Sequence, residues 1–319
     1  FDLGAYNHMV LADFRIVSGP EYSNLYTTLN GAGTADLPFA LEEISFSPLL
    51  QPLRAVINPG NLKSLIELTS TEHQPETASP VLEETLGCLK EAAMSQPDTY
   101  ELEQAHTRAK EMLLTLAETD RLEGQFGLSS MVTTRKCYDI FRDKLNSDQH
   151  HQYVLTIWAL MSNLVAPGNQ QPWQKKNHEI AISKPVVNLI TRALGGLGFS
   201  EYESWKNVQL IQMLISNPDL PSAELTASSL VQSWTETQAI SDYLEINQYN
   251  GVRWFNKERF GDFLWYQRAA RLLTFSVDYN EEPLYVLEEL LNLEKRFDQI
   301  STAQEASEYQ VDKLIELLN

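Results

Sequence analysis

Apolar residues recur every three or four positions along most of the chain after residue 79, with polar residues between them. One such segment has its apolar residues at Leu102, Ala105, Ala109, Met112, Leu113 and Leu116. This spacing places them on one face of an α-helix, whereas a half-buried strand would alternate at every second residue. The pattern predicts helices near residues 80–94, 98–119, 135–146, 148–165, 183–197, 200–216, 222–234, 236–246, 256–278, 282–299 and 301–318. We therefore expect an all-α fold, an irregular multi-helix bundle with a less regular N-terminal segment.

Glycine and proline interrupt the first sixty residues so often that only short helices fit between them. Short helices are predicted at 21–29 and 49–57, while the pattern at 9–17 leaves strand and helix both open. The polar stretches 69–79 and 167–178 are predicted to be surface loops, the first of them a linker. Residues 1–78 are therefore interpreted as an irregular, connector-like segment with short helices, and 79–319 as a helical bundle domain.

Several local signals mark helix ends. Ser200 with Glu203, and Ser301 with Gln304, have the spacing of a capping box, in which each side chain bonds the backbone N–H of the other residue. They predict helix starts at 200 and 301. The run 195–198, Gly-Gly-Leu-Gly, has the look of a phosphate-binding loop, but such a loop follows a strand and this run follows a helix. Because glycine at a helix C-terminus adopts the left-handed conformation without steric cost, we predict a corner between two helices.

Charge narrows the range of partners. The chain has 319 residues, with 24 basic against 43 acidic ones, for a net charge of −19. That balance argues against nucleic acid, whose phosphates require clustered Lys and Arg, and against docking on anionic lipid. The longest apolar stretch, 153–166, is too short to span a bilayer, so no membrane is expected. With two cysteines and no secretory signal pattern, the expected location is a reducing, cytoplasmic compartment. Because the chain begins at Phe1 rather than Met, we expect it to be a piece of something longer.

No pattern of catalytic or metal-binding residues is present. The six histidines are scattered without the spacing of a helical zinc site, so no metal and no cofactor is predicted. The chain contains neither a Gly-x-Ser-x-Gly elbow nor a phosphate-loop motif. Carboxylate pairs such as Glu288-Glu289 are neighbours on a helix and point about 100° apart, which is typical of a solvated face rather than of an acid–base pair. No catalytic residue is assigned.

The segment 249–266, YNGVRWFNKERFGDFLWY, concentrates seven aromatic residues around a turn signal. Asn250-Gly251 should turn the chain, and Asn256 should cap a helix whose broad apolar face makes it central. Arginines beside this surface are expected to stack on rings or pair with carboxylates. The segment is interpreted first as a set of packing anchors and second as a surface for sugar or another small ligand. Its candidate residues are Tyr249, Arg253, Trp254, Phe255, Asn256 and Trp265.

The same segment resembles a signature that follows the catalytic barrel in some large bacterial alpha-amylase-type glycoside hydrolases. There a phrase of the form Gln/Asn-x-Tyr-x-Gly-Val-x-Trp-Phe-Asn-Lys-Glu precedes a Trp-rich helix. Residues 309–314, YQVDKL, resemble the close of those chains, and 46–59, FSPLLQPLRAVINP, is similar to their post-barrel connector. The barrel motifs of that family have no counterpart in this sequence, so the resemblance carries over no catalytic residue.

The resemblance implies a non-catalytic helical accessory domain of an alpha-glucan-processing glycoside hydrolase, packing on or organising a barrel absent from this chain. Its partner would be a catalytic domain in cis or another protein, with alpha-glucan as a candidate ligand. We do not expect this chain by itself to be an enzyme. Three alternatives stay open: a free-standing helical adaptor that binds proteins, a helical domain that binds carbohydrate or another small ligand, and an enzyme whose site joins residues distant in sequence, such as Tyr153, His178, Arg253 and Glu258.

Overall fold

The computed structural model describes residues 18–30, 32, 34, 36–68, 79–96, 102–126, 132–165, 173–216, 226–278 and 283–319. The chain divides into two compact units, Phe1–Ser47 and Pro48–Asn319. The boundary expected from the sequence, after residue 78, therefore falls inside the second unit. The stretches 9–17 and 69–78 lie outside the described residues.

The described residues form seventeen α-helices and one antiparallel pair of short strands, which confirms the mainly-α fold class. In chain order the elements are α1 (Pro20–Leu29), α2 (Leu37–Ser45), α3 (Ser47–Val56), α4 (Pro59–Glu67), α5 (Pro80–Met94), α6 (Leu102–Ala117), α7 (Asp120–Phe126), α8 (Val132–Ser147), α9 (Gln149–Ser162), α10 (Trp173–Ile182), α11 (Lys184–Gly196), α12 (Glu201–Ser216), α13 (Ala227–Glu236), α14 (Gln238–Tyr243), β1 (Asn247–Tyr249), β2 (Val252–Trp254), α15 (Lys257–Asp278), α16 (Pro283–Ala306) and α17 (Val311–Leu318).

The N-terminal portion is more helical than its punctuation predicted. Pro20, Pro38 and Pro59 lie in the first turns of α1, α2 and α4, where the missing proline N–H has no helical partner to lose. These prolines therefore start helices, and the sequence analysis missed α2 because it treated Pro38 only as a break. The Asp36 carboxylate caps α2 by accepting a 2.9 Å hydrogen bond from the Phe39 N–H.

In the second unit, two helices form the centre of the core. Every residue of α9 from Tyr153 to Ser162 is buried, and α9 packs against α4, α6, α8, α10 and α12. Helix α15 packs against α6, α8, α9, α12 and α16 and buries side chains around most of its circumference. The prediction that α15 is central is confirmed. Among the helices described, none is long and apolar enough to cross a bilayer.

The local end signals gave mixed outcomes. The Ser200–Glu203 capping box is formed: Glu203 Oε2 accepts from the Ser200 N–H at 2.9 Å, and Ser200 Oγ accepts from the Glu203 N–H at 3.2 Å. The helix start predicted at Ser301 is wrong, because α16 continues through it to Ala306. The loop predicted at 167–178 is wrong in its second half, where α10 begins at Trp173.

The glycine run 195–198 forms the predicted corner between α11 and α12. Gly198 has φ 101°, a conformation that a residue with a side chain rarely adopts. A Cβ on Gly196 would lie 2.6 Å from Cγ of Pro59, so this glycine permits close packing of α11 on the start of α4. Packing and chain reversal thus account for these glycines without a phosphate.

Candidate functional site

The aromatic segment begins with a hairpin. Strands β1 and β2 pair antiparallel, with Tyr249 opposite Val252 and Gln248 opposite Arg253. Asn250 has φ 50° and Gly251 has φ 81°, the left-handed conformations that a tight two-residue turn requires. The turn was predicted at these two residues; the strands on either side of it were not.

Backbone hydrogen bonds join this hairpin to two other parts of the chain. The Phe255 N–H donates to the Tyr309 carbonyl at 3.0 Å, and Trp254 forms a β-bridge with Gln310. The Asn256 N–H donates to the Leu244 carbonyl at 2.9 Å. The end of α14, the hairpin and the turn before α17 are therefore fixed in one corner, which we call the hairpin corner (residues 244–256 and 307–312).

Asn256 has two roles in this corner. Its Oδ1 accepts from the Arg259 N–H at 3.1 Å, which confirms the predicted cap of α15. Its Nδ2 donates to Oε2 of Glu245 at 2.8 Å. One amide therefore satisfies a free N–H of the helix and orients a carboxylate on the neighbouring turn.

The other candidate residues differ in exposure. Phe255 is buried, with its ring 4.8 Å from Phe260 and 6.1 Å from Tyr309 between centroids. Arg253 forms an ion pair with Asp312 at the surface, and Trp254 is half-buried. Tyr249 is 69% exposed at the end of β1. The expectation of carboxylate pairing by Arg253 is confirmed.

The structure does not bring Trp265 into this corner. Trp265 is buried further along α15, and its indole N–H donates to the Ile140 carbonyl on α8 at 3.2 Å. Its ring centroid lies 4.9 Å from that of His151 on α9, and the Lys144 ammonium lies 5.3 Å from the indole ring. Trp265 therefore anchors α15 to α8 and α9 rather than extending the surface of the hairpin corner.

Beside the hairpin corner lies a polar cluster that the sequence analysis missed. Glu245 has φ 55° and accepts hydrogen bonds from the Tyr202 hydroxyl and from Asn256. Its carboxylate also lies 3.4 Å from the Lys206 ammonium and 3.9 Å from Nε of Arg259. The Tyr202 bond, followed by those from Asn256 and Lys206, holds the pKa of Glu245 below its ordinary value.

Lys206 is the buried centre of this cluster, with only 3% of its side chain exposed. Its ammonium donates to the Asp242 carbonyl at 2.9 Å and lies 5.1 Å from the Trp205 ring and 5.9 Å from the Tyr202 ring. The Arg259 guanidinium lies 5.4 Å from the Tyr202 ring. Cation–π contacts of this kind stabilise a charge that burial would otherwise penalise.

One signal in the sequence could have pointed to this place. Tyr202 and Trp205 are three residues apart directly after the Ser200 cap, so they share a face of α12. The two residues are 51% and 48% exposed. The contribution of Glu245 could not be read from the sequence, because nothing local indicates a left-handed glutamate.

The arrangement is poorly suited to acid–base chemistry. The Glu245 carboxylate is already bound by donors from Tyr202, Asn256 and Lys206, which keep it ionised and leave it little capacity to take up a proton. Within the part of the chain that the structure describes, no group of three or more His, Cys, Asp or Glu side chains converges as for a metal ion. A depression of about 830 Å³ lies elsewhere, lined mainly by α16 and the end of α17, and includes none of the six candidate residues.

The structure gives the distant-residue enzyme hypothesis no support. Arg253 is engaged with Asp312, and the Tyr153 side chain is buried in the core on α9. No protein-family model, curated protein or solved structure matches this chain.

Proposed function

We propose that this chain is a non-catalytic helical accessory domain of an alpha-amylase-type, alpha-glucan-processing glycoside hydrolase, and that it packs on or organises a catalytic barrel outside this chain. The observation that carries the proposal is the meeting of two separate stretches that bear the resemblance, 249–258 and 309–314. They touch through the Phe255–Tyr309 hydrogen bond, the Trp254–Gln310 bridge and the Arg253–Asp312 ion pair.

Because these stretches touch, the simplest explanation for their likeness to that family is a shared fold in this region. Arg253 and Asp312 are 59 residues apart, yet they pair. If each stretch resembled the family only by chance, there would be no reason for the two stretches to touch in the fold. The residues of the phrase also have structural roles, since Trp254 ends a strand, Phe255 fills the core and Asn256 caps α15. These structural roles account for much of the phrase without a reaction.

The first test of this proposal is the encoding gene. We expect the reading frame to continue upstream through a catalytic barrel, and a frame that starts at Phe1 would remove the main support. The full protein is proposed to be located in the bacterial cytoplasm, and fractionation of the cells that carry the gene would test this.

A second test uses the purified chain and the separately expressed barrel. The chain alone should release no reducing sugar from maltoheptaose, and it should co-elute with the barrel in gel filtration. An Arg253→Glu variant, which reverses the charge facing Asp312, should unfold at a lower urea concentration, while the charge reversal Glu316→Lys at an exposed position of α17 serves as the control. Turnover by the chain alone, or a chain and barrel that elute separately, would contradict the proposal.

The free-standing adaptor is the second candidate function. Leu284 and Tyr285, at the start of α16, are 83% and 58% exposed, and neighbouring apolar side chains of this kind mark some protein-binding surfaces. Under this alternative, Leu284→Ser would abolish capture of a partner protein from lysate whether or not a barrel is present. Under the accessory-domain proposal, the interaction to be measured is association with the barrel, and Leu284→Ser would leave it intact.

A further inference from the structure

Two half-exposed aromatic rings form a small platform at the start of α12. Tyr202 and Trp205 have ring centroids 6.4 Å apart with 40° between the ring planes. Each is about half exposed, whereas the other aromatic side chains of the adjoining cluster, such as Tyr243 and Phe260, are almost fully buried. We call this pair the ring platform.

The ring platform is held in place from behind. Lys206 lies beneath both rings, Arg259 lies beneath Tyr202, and the Tyr202 hydroxyl donates to Glu245. The lysine is itself fixed by the carbonyls of the α14 end, at Asp242 and Tyr243. A ring pair already ordered in this way loses little conformational entropy when a ligand stacks on its outer face.

Charge restricts what such a ligand can be. A cationic ligand is disfavoured, because Lys206 and Arg259 already occupy the inner faces of the rings. An anionic ligand is disfavoured by Glu201 and Glu203, which lie in the same turn of α12, and by the net charge of −19. A neutral ligand with a flat apolar face avoids both of these repulsions.

We propose that the ring platform binds a pyranose ring of a neutral oligosaccharide, with the apolar face of the sugar against Tyr202 and Trp205. The flat C–H face of a pyranose matches an aromatic surface, while its rim of hydroxyls stays in water. This inference rests on the proposed function in one respect, the choice of alpha-glucan as the sugar. It differs from the sequence-based expectation, which placed the ligand surface at Trp254.

The test follows the six tryptophans separately by labelling the protein with 5-fluorotryptophan and recording fluorine NMR spectra. The Trp205 resonance is assigned with Trp205→Phe. Maltoheptaose at millimolar concentration should shift that resonance to saturation and leave the buried Trp234 and Trp265 unchanged. Tyr202→Ala, which removes a half-exposed ring, should weaken binding about tenfold as judged from the same resonance.

Two matched variants separate stacking from other effects. Tyr202→Phe keeps the ring and loses only the bond to Glu245, so binding should be largely retained. Tyr249→Ala removes an exposed aromatic ring outside the platform, so binding should be unchanged. Equal loss in Tyr249→Ala and Tyr202→Ala, or a shift of all six resonances together, would overturn the assignment to the ring platform.

Cellohexaose, a beta-linked glucan, distinguishes the two proposals. A Trp205 shift with maltoheptaose and not with cellohexaose supports both. A shift with cellohexaose alone keeps the ring platform and removes support for an alpha-glucan-processing parent. No shift with either sugar overturns the ring platform, while the accessory-domain proposal is still decided by the gene and by association with the barrel.

Discussion

The buried ion pair between Arg268 on α15 and Glu294 on α16 allows a sharp test of how the core is held together. Nε of Arg268 lies 2.8 Å from Oε1 of Glu294, and their side chains are 5% and 1% exposed. The guanidinium also lies 5.3 Å from the Phe297 ring. The pKa of the buried Cys137 thiol is raised mainly by burial, and the nearby Glu294 carboxylate raises it further. Neither charge of the pair has access to bulk water.

Glu294→Gln keeps the size of the side chain and removes its charge, which leaves the Arg268 guanidinium buried without a counter-ion. Removing one partner of a buried pair costs about 3–5 kcal/mol of unfolding free energy, because the remaining charge is uncompensated. The double variant Arg268→Met/Glu294→Leu removes both charges and should be close to wild type in stability. The two results together distinguish the cost of a stranded charge from the net value of the pair.

The measurement is urea unfolding followed by far-UV circular dichroism at neutral pH, with the free energy extrapolated to water. Asp298→Ala is the matched control, because Asp298 is one turn further along α16 and pairs with Lys136 at the surface. Its loss should cost less than about 1 kcal/mol, since both side chains are well exposed. If Glu294→Gln costs no more than Asp298→Ala, or if the double variant is as unstable as Glu294→Gln, the reasoning is refuted.

Three further outcomes follow from the fold. Asn256→Ala should lose about 1 kcal/mol of unfolding free energy in urea and Asn256→Ser less, because Ser keeps the α15 cap without placing a second carboxylate beside Glu245; equal losses would contradict a capping role. Trp265→Ala should cost about 3–5 kcal/mol and Tyr249→Ala within about 0.5 kcal/mol, a contrast that calorimetric melting would show and that similar melting temperatures would disprove. Burial lowers the pKa of His151 below its ordinary value of 6.5, so the unfolded chain binds the proton more readily and stability should fall as pH drops below about 6.5. His151→Gln should reduce this loss of stability at low pH without abolishing it, because burial also lowers the pKa of two other histidines. An unchanged pH profile would rule out His151 as a contributor.

The features that could be predicted from the sequence are those decided within four residues. Asn256 caps α15 and Ser200 pairs with Glu203 because both signals depend only on neighbouring backbone groups. The helical fold class follows from apolar periodicity in the same local way. The turn at Asn250-Gly251 could be predicted for the same reason.

Packing overruled the same kind of signal at Ser301. Leu293, Phe297 and Ile300 lie on the buried face of α16, and Ala303 continues that face beyond Ser301. Continuing the helix therefore buries more apolar surface than ending it would, and a capping box cannot compete with that. The helix ends instead near Ser307, where Tyr309 must reach the hairpin corner.

Only part of the candidate site could be predicted from the sequence, because its contacts join residues that are far apart along the chain. Arg253, Trp254 and Phe255 were singled out as one group, but their partners at 309–312 could not be identified from spacing. Trp265 was grouped with them by sequence proximity, yet it lies about two turns into α15 and contacts α8 and α9. The Tyr202 hydroxyl of the ring platform donates to Glu245, whose left-handed conformation no local pattern indicates.

The closure of the hairpin corner by residues 309–312 also has a consequence for biosynthesis. The hairpin emerges from the ribosome well before the strand-like turn that completes it, since Arg253 and Asp312 are 59 positions apart. Until then, β2 presents an unpaired edge and Phe255 lacks the ring of Tyr309. A nascent chain stalled before residue 307 should accordingly be sensitive to protease at the hairpin and prone to associate through that edge.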